Sequence, residues 1–151
     1  MTIAQFGTFD VDNYGDLLFP FIARWRCPEI EWLHVSPLGG KPGFGDALPT
    51  IGFAEARKAS FDAAIVGGGN IISTRYSNLS KYRSIGITAY PSLSIGAAML
   101  ASRRKTPLSF NGPSILTNDL GMTERCLLKP VFSAAAYVAL RDSGSMEMAS
   151  G

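Results

Sequence analysis

Three carboxylates and an amide, Asp10, Asp12, Asn13 and Asp16, crowd into the stretch GTFDVDNYGD between two apolar runs. Carboxylates grouped in this way ligate a cation, accept hydrogen bonds from hydroxyls, or take a proton as a general base. A calcium loop of the D-x-D-x-D-G type needs an oxygen ligand at Tyr14 and a glutamate at Phe21, and has neither. A D-x-D site holding a metal for a nucleotide-sugar donor stays open, as does helix capping for Asp16. Phosphate is the ligand this loop suits least, since a phosphate-binding turn is glycine-rich and free of negative charge.

Other residues with chemical potential follow further along the chain. Gly67, Gly68, Gly69 and Asn70 come directly after DAAIV, where a glycine turn lets backbone approach a ligand closely or lets a helix pack tightly on a strand. The run is neither GxGxxG nor a P-loop. Asn111 opens NGPS after a further apolar run, and Arg141, Asp142 and Ser143 follow the last one. The polar stretch STRYSNLSKYR, with Arg75, Lys81 and Arg83, reads as a solvated segment or a lid over a ligand. His34, the one histidine, reads as an ordinary strand-end residue. One histidine gives no clear Ser-His-Asp or Cys-His arrangement, and triad hydrolysis is not expected.

The elements that must position these residues are legible as apolar, β-prone runs at Ile3–Phe6, Glu31–Val35, Phe61–Val66, Pro107–Phe110 and Tyr137–Leu140. Run-like rather than alternating hydrophobicity predicts parallel strands covered on both faces. Helices are expected from Asp16 to Arg26, over AEARKAS, from Pro91 to the cationic SRRK, and from Thr123 onward, where Pro130 bends or shortens the last. SPLGGKPGFGDALPTIGF reads as loop. The alternation predicts an α/β, Rossmann-like, doubly wound and mostly parallel five-stranded sheet, with helices on both faces. In such sheets ligands bind outside the carboxyl ends of the strands, where the exit loops converge. The loops carrying Asp, Asn, Gly and Arg are those exit loops. The C-terminus reads as a strand, its exit and the start of a helix, so residues 1–151 are expected to be the N-terminal domain of a longer protein.

The ordered set NYGD, GGGN, NGPS and YVALRDSGS, spanning roughly residues 3–145, resembles the polysaccharide pyruvyl transferase family. The resemblance implies one half of a GT-B-like, two-domain enzyme that uses phosphoenolpyruvate as donor. Such an enzyme places a pyruvate ketal on a glycan or lipid-linked sugar acceptor, in exopolysaccharide or cell-wall biosynthesis. By position its N-terminal loop matches Asn13, Gly15 and Asp16, its glycine turn Gly67, Gly68, Gly69 and Asn70, and its strand-exit signature Arg141, Asp142 and Ser143; these, with Asn111 of NGPS, are expected at the substrates. The family's C-terminal domain has no counterpart in the sequence. Asp10, Asp12 or Asp16 is expected to face the acceptor sugar as the base, with no metal and no cofactor beyond the donor.

Composition bounds the alternatives. A net charge of +2 gives no pull toward nucleic acid. Two distant cysteines form no disulfide framework and fit a reduced, cytoplasmic setting. No apolar run reaches the ~20 residues that span a bilayer. A glycosyltransferase half using a nucleotide-sugar donor and a non-catalytic α/β binding module remain as other readings.

Overall fold

The computed structural model describes residues 1–116 and 121–150. Its centre is a six-stranded sheet of β1 (Thr2–Phe6), β2 (Glu31–Ser36), β3 (Ile51–Gly52), β4 (Ala63–Gly67), β6 (Leu108–Asn111) and β8 (Tyr137–Ala139). The strands lie in the order β3-β2-β1-β4-β6-β8, and every pairing is parallel. This is the doubly wound order, which runs outward in both directions from β1 and β4. The right-handed crossovers of a twisted sheet then put helices on both faces. Five of the strands fall on the apolar runs. The sixth, β3, is only two residues long and sits at the end of the Gly/Pro-rich stretch that reads as loop. Its pairing with Val35 and Ser36 makes it a strand, and local propensity has no part in that.

The connecting helices are α1 (Tyr14–Arg26), α2 (Phe53–Ala56), α3 (Ala89–Pro91), α4 (Ala97–Arg104), α5 (Met122–Ser133) and α6 (Ser143–Ser150). A π turn at Ser92–Gly96 joins α3 to α4, so Pro91 lies in the first turn of one longer helical stretch. Helix α5 continues through Pro130 for three more residues, and α1 tolerates Pro20 on its buried side. At the end of α4 the cations do more than meet a helix dipole. Arg104 donates to the carbonyls of Ala56, Arg57 and Ala59, closing the end of α2, and stacks 4.6 Å from the Phe61 ring. The core alternates large and small residues. Phe6, Val35, Val66 and Phe110 fill it, while Ala4, Ala64, Ala97 and Ala101 let α4 settle close to the sheet.

Two exit segments leave the sheet by matched bends. Gly68 and Gly69, at φ of 82° and 75°, turn the chain out of β4 into β5 (Asn70–Ile72). Gly112, at φ 73°, turns it out of β6 into β7 (Ser114–Ile115). β5 and β7 then pair in parallel as a second, small ladder. These bends need the left-handed backbone that glycine adopts without penalty, which accounts for glycine in both GGGN and NGPS.

His34 is buried in β2, where Nδ1 lies 3.0 Å from Gln5 Oε1 and the ring lies parallel to Trp32 and edge-on to Phe9. Burial first, then the charge of Arg24, lowers its pKa from 6.5 to about 4. The unfolded chain therefore binds a proton that the fold refuses. Stability is full above pH 6.5 and falls as pH drops toward 4, by an amount on the order of 3 kcal/mol. Urea midpoints measured from pH 7.5 to 5 should show this slope, and His34→Gln should flatten it.

Candidate functional site

The crevice between β1 and β4, where the winding reverses, opens into a cleft of about 620 Å³ at the carboxyl edge of the sheet. Five segments converge there: the loop after β1, Lys41–Gly43 beyond β2, the glycine bend after β4, the stretch from Leu79 to Lys81, and Arg141 beyond β8.

The loop after β1 is seven residues long and is fixed at several points. Gly7 N–H donates to Val35 O (3.0 Å) and Phe9 N–H to Ser36 Oγ (3.0 Å), while the Phe9 ring is 1% exposed. Asp10 follows as a buried hub. Its Oδ2 accepts the N–H groups of Leu38 (3.2 Å) and Gly39 (3.0 Å), and its Oδ1 accepts the hydroxyl of Tyr82. Lys81 Nζ donates to the Asp10 carbonyl and stands 3.9 Å from Oδ2. Burial, reinforced by the Asp10 carboxylate beside it, raises the Tyr82 pKa far enough to keep the hydroxyl protonated. The Asp10 side chain is 0% exposed, so both oxygens serve the fold. Asp10 also lines the cleft, with its side chain buried among these donors.

Asp12 and Asp16 differ from it. Asp12 is exposed at the cleft rim and accepts Gly43 N–H at 2.9 Å. Asp16 is not the helix cap. Asn13 takes that position, and Asp16 stands in the first turn of α1. Its Oδ2 accepts both Thr8 Oγ1 (2.7 Å) and Asn13 Nδ2 (3.1 Å). Its Oδ1 lies where a Cβ on Gly69 would sit only 2.9 Å away, so the glycine makes room for the carboxylate. Burial raises the Asp16 pKa against the lowering by the two hydrogen bonds and the charge of Arg141. A half-buried carboxylate of raised pKa, lining the cleft with one oxygen tethered and the other against Gly69, suits proton transfer to or from a ligand.

The remaining expected site residues divide. Asn13, Gly69, Asn70 and Arg141 line the cleft. Gly68 is buried beneath Phe19, where a side chain would run into the ring, so it serves helix packing. Gly67 faces Asn111 O across the β4–β6 pairing, and Asn111 itself ends β6 outside the cleft. Gly15 is exposed in the first turn of α1, away from the lining. Asp142 is a helix cap. Its Oδ1 accepts Ser145 N–H (2.8 Å) and its Oδ2 accepts Ser145 Oγ (3.0 Å) at the start of α6, with the backbone donor first among the causes that lower its pKa. Ser143 opens α6 and is not part of the lining.

Thr8, Lys41 and Tyr90 also line the cleft without any sequence motif to mark them. Lys41, Lys81 and Arg141 set three cations against Asp12 and Asp16, so the cleft is mixed in charge rather than acidic. Lys41 donates to Gly45 O (2.9 Å), whereas the Arg141 guanidinium makes no hydrogen bond among the described residues. The polar stretch from Thr74 to Arg83 is pinned at both ends. Thr74 and Arg75 bond Glu124, and Tyr82 bonds Asp10. Among the described residues no cluster of three His, Cys, Asp or Glu is placed to hold a metal ion.

The division between a structural and an exposed carboxylate is measurable. Tyr82→Phe leaves Asp10 Oδ1 buried without a donor and should cost roughly 1–3 kcal/mol of unfolding free energy. Asp12→Asn, at the rim, should stay within about 0.5 kcal/mol. Chemical denaturation of the two variants checks the contrast.

No protein-family model matches the chain and no curated protein matches it, so the likeness to polysaccharide pyruvyl transferases stands on its loop motifs alone.

Proposed function

We propose that this chain is the Rossmann-like, acceptor-binding unit of a polysaccharide pyruvyl transferase. The reaction is transfer of the pyruvyl group of phosphoenolpyruvate to a sugar on a growing exopolysaccharide or cell-wall glycan. The observation that carries the reading is Asp16, a carboxylate of raised pKa held by Thr8 and Asn13 in a cleft that it shares with Arg141.

The chemistry asks for such a group. Two hydroxyls of one sugar form bonds to C2 of the enolpyruvyl group, C3 gains a proton to become a methyl, and the C2–O bond to phosphate breaks. Of the two hydroxyl protons, one goes to C3 and the other leaves with phosphate. A carboxyl whose pKa lies above the ordinary range is a stronger base toward the hydroxyl and, once protonated, still an acid toward C3. Asp16 takes that role. Asp12 and Asn13 at the rim accept and donate to the other sugar hydroxyls. Arg141 holds negative charge on the donor. In the two-unit arrangement that the resemblance implies, a second unit supplies the rest of the donor's grip. The donor is an intracellular metabolite, which puts the work in the cytoplasm.

The test is phosphate release from phosphoenolpyruvate by the intact protein, with pyranoside diols as acceptors. Asp16→Asn should lower turnover by about 10²–10⁴-fold. Arg141→Ala should act mainly on KM for phosphoenolpyruvate. The rate should rise with pH through a midpoint above the usual aspartate range, the direction in which burial moves Asp16. Because burial makes the Asp16 charge costly, Asp16→Asn should also hold or raise the melting temperature at neutral pH. Full activity in Asp16→Asn, or binding of nucleoside diphosphate sugars with phosphoenolpyruvate inert, overturns the reading.

A further inference from the structure

Helix α1 turns a continuous apolar stripe to solvent. Tyr14, Leu18, Ile22 and Trp25 are 51%, 40%, 49% and 74% exposed, and they recur at the spacing that aligns residues on one helix face. At ~100° per residue the four fall within about 80° of arc. Phe44 lengthens the stripe at its start, packed edge-on against Tyr14 at 5.7 Å. The opposite side of the helix is in use, with Leu17 and Pro20 buried against the domain. Large apolar side chains repeated along a whole helix are not the scattered exposure that every surface shows.

Charge decides what covers this face. Arg26 is exposed at the edge of the stripe and lies 5.2 Å over the Trp25 ring, while Arg24, also exposed, stands on the domain side of the helix beside Glu31 and Trp32. Between Leu17 and Arg26 there is no acidic residue, and the Asp16 carboxylate is turned away toward Thr8 and Asn13. An apolar stripe with tyrosine and tryptophan at its ends, an arginine at its edge and no acidic residue along the helix from Leu17 to Arg26 has the make-up of a helix lying in a membrane interface. The rings sit at headgroup depth and the guanidinium group reaches anionic phosphates. Among the described residues no helix is long and apolar enough to cross a membrane, so the contact is peripheral.

We infer that the exposed face of α1 docks on an anionic bilayer surface. The cleft opens beside the first turn of this same helix, at Asn13 and Asp16, so docking holds the cleft mouth near the lipid headgroups. The inference rests on the helix face alone and does not require the pyruvyl reading.

Flotation with vesicles of phosphatidylglycerol and phosphatidylcholine in equal parts, beside vesicles of phosphatidylcholine only, tests it. The protein should float with the first and weakly with the second, and added salt should release it. Arg26→Glu should lower the partition coefficient by at least about fivefold, and Arg24→Glu, on the domain side of the helix, by less. Ile22→Asp and Trp25→Ala should weaken binding while leaving the melting temperature within a few degrees, since both side chains face solvent. Equal flotation with both vesicles, no flotation with either, or a stable dimer in solution that Ile22→Asp dissolves overturns the inference. The last of these outcomes assigns the face to a second copy of the chain.

Discussion

The buried carboxylate of Asp10 joins three stretches of chain that are far apart in sequence. It accepts from the backbone of Leu38 and Gly39, 28 and 29 residues on, and from Tyr82, 72 residues on. An ionisable group taken from water without partners costs several kcal/mol, so the position is tolerable only while all of these donors stay in place. That requirement works in both directions. The donors hold the carboxylate, and the carboxylate holds the loop after β1, the turn after β2 and the Lys81–Tyr82 stretch around one opening. The cleft's walls are thus tied to each other as well as to the sheet. Phe9, lodged beneath the loop with its N–H on Ser36, supplies the apolar half of the same anchor.

The loop shows how environment assigns three roles to one residue type. Asp10, Asp12 and Asp16 share a side chain and lie within one turn of chain, yet their surroundings differ in kind. Asp10 has no exposed atoms and a full set of donors. Asp12 stands at the rim with a single backbone donor. Asp16 lies between these extremes, buried enough to raise its pKa and tethered through one oxygen only. Asp16 combines a raised pKa with a place in the cleft, the pairing that marks groups which exchange protons.

Sequence reading captures whatever depends on local pattern. The five long strands announce themselves because strands covered on both faces must be apolar throughout, and the helix ends follow from Pro91 and the cations of SRRK. β3 is invisible to such reading, since two residues carry no period and only the pairing with Val35 and Ser36 defines them. Likewise, nothing local separates Asp10 from Asp12, because the burial of the first is set by Tyr82 and Gly39. Asp16 looks like a cap from its position before an apolar run, but the helix starts two residues earlier and gives the cap to Asn13. Asp142, which looks like part of a substrate loop, is in fact a cap. Thr8 and Lys41 reach the cleft through the fold, without any motif to mark them.

The first turn of α1 bears on the choice among ligands. In a dinucleotide-binding sheet of this strand order, the pyrophosphate rests on the free N–H groups at the start of the first helix. Here the Asp16 carboxylate occupies that first turn, tied to Thr8 and Asn13, and Gly69 is shaped to accommodate it. A phosphate entering there would meet a negative charge at close range, which disfavours nucleotide donors at this spot. The same helix terminus favours the charged form of Asp16, while burial favours the neutral one. A neutral hydroxyl-bearing ligand that fills the cleft excludes water and deepens the burial. The added burial then raises the Asp16 pKa, while a hydroxyl donating to the carboxylate lowers it, the same opposition that burial and the Thr8 and Asn13 donors set up in the chain itself. On the proposed reading, the carboxylate that turns phosphate away is also the one that meets a sugar hydroxyl.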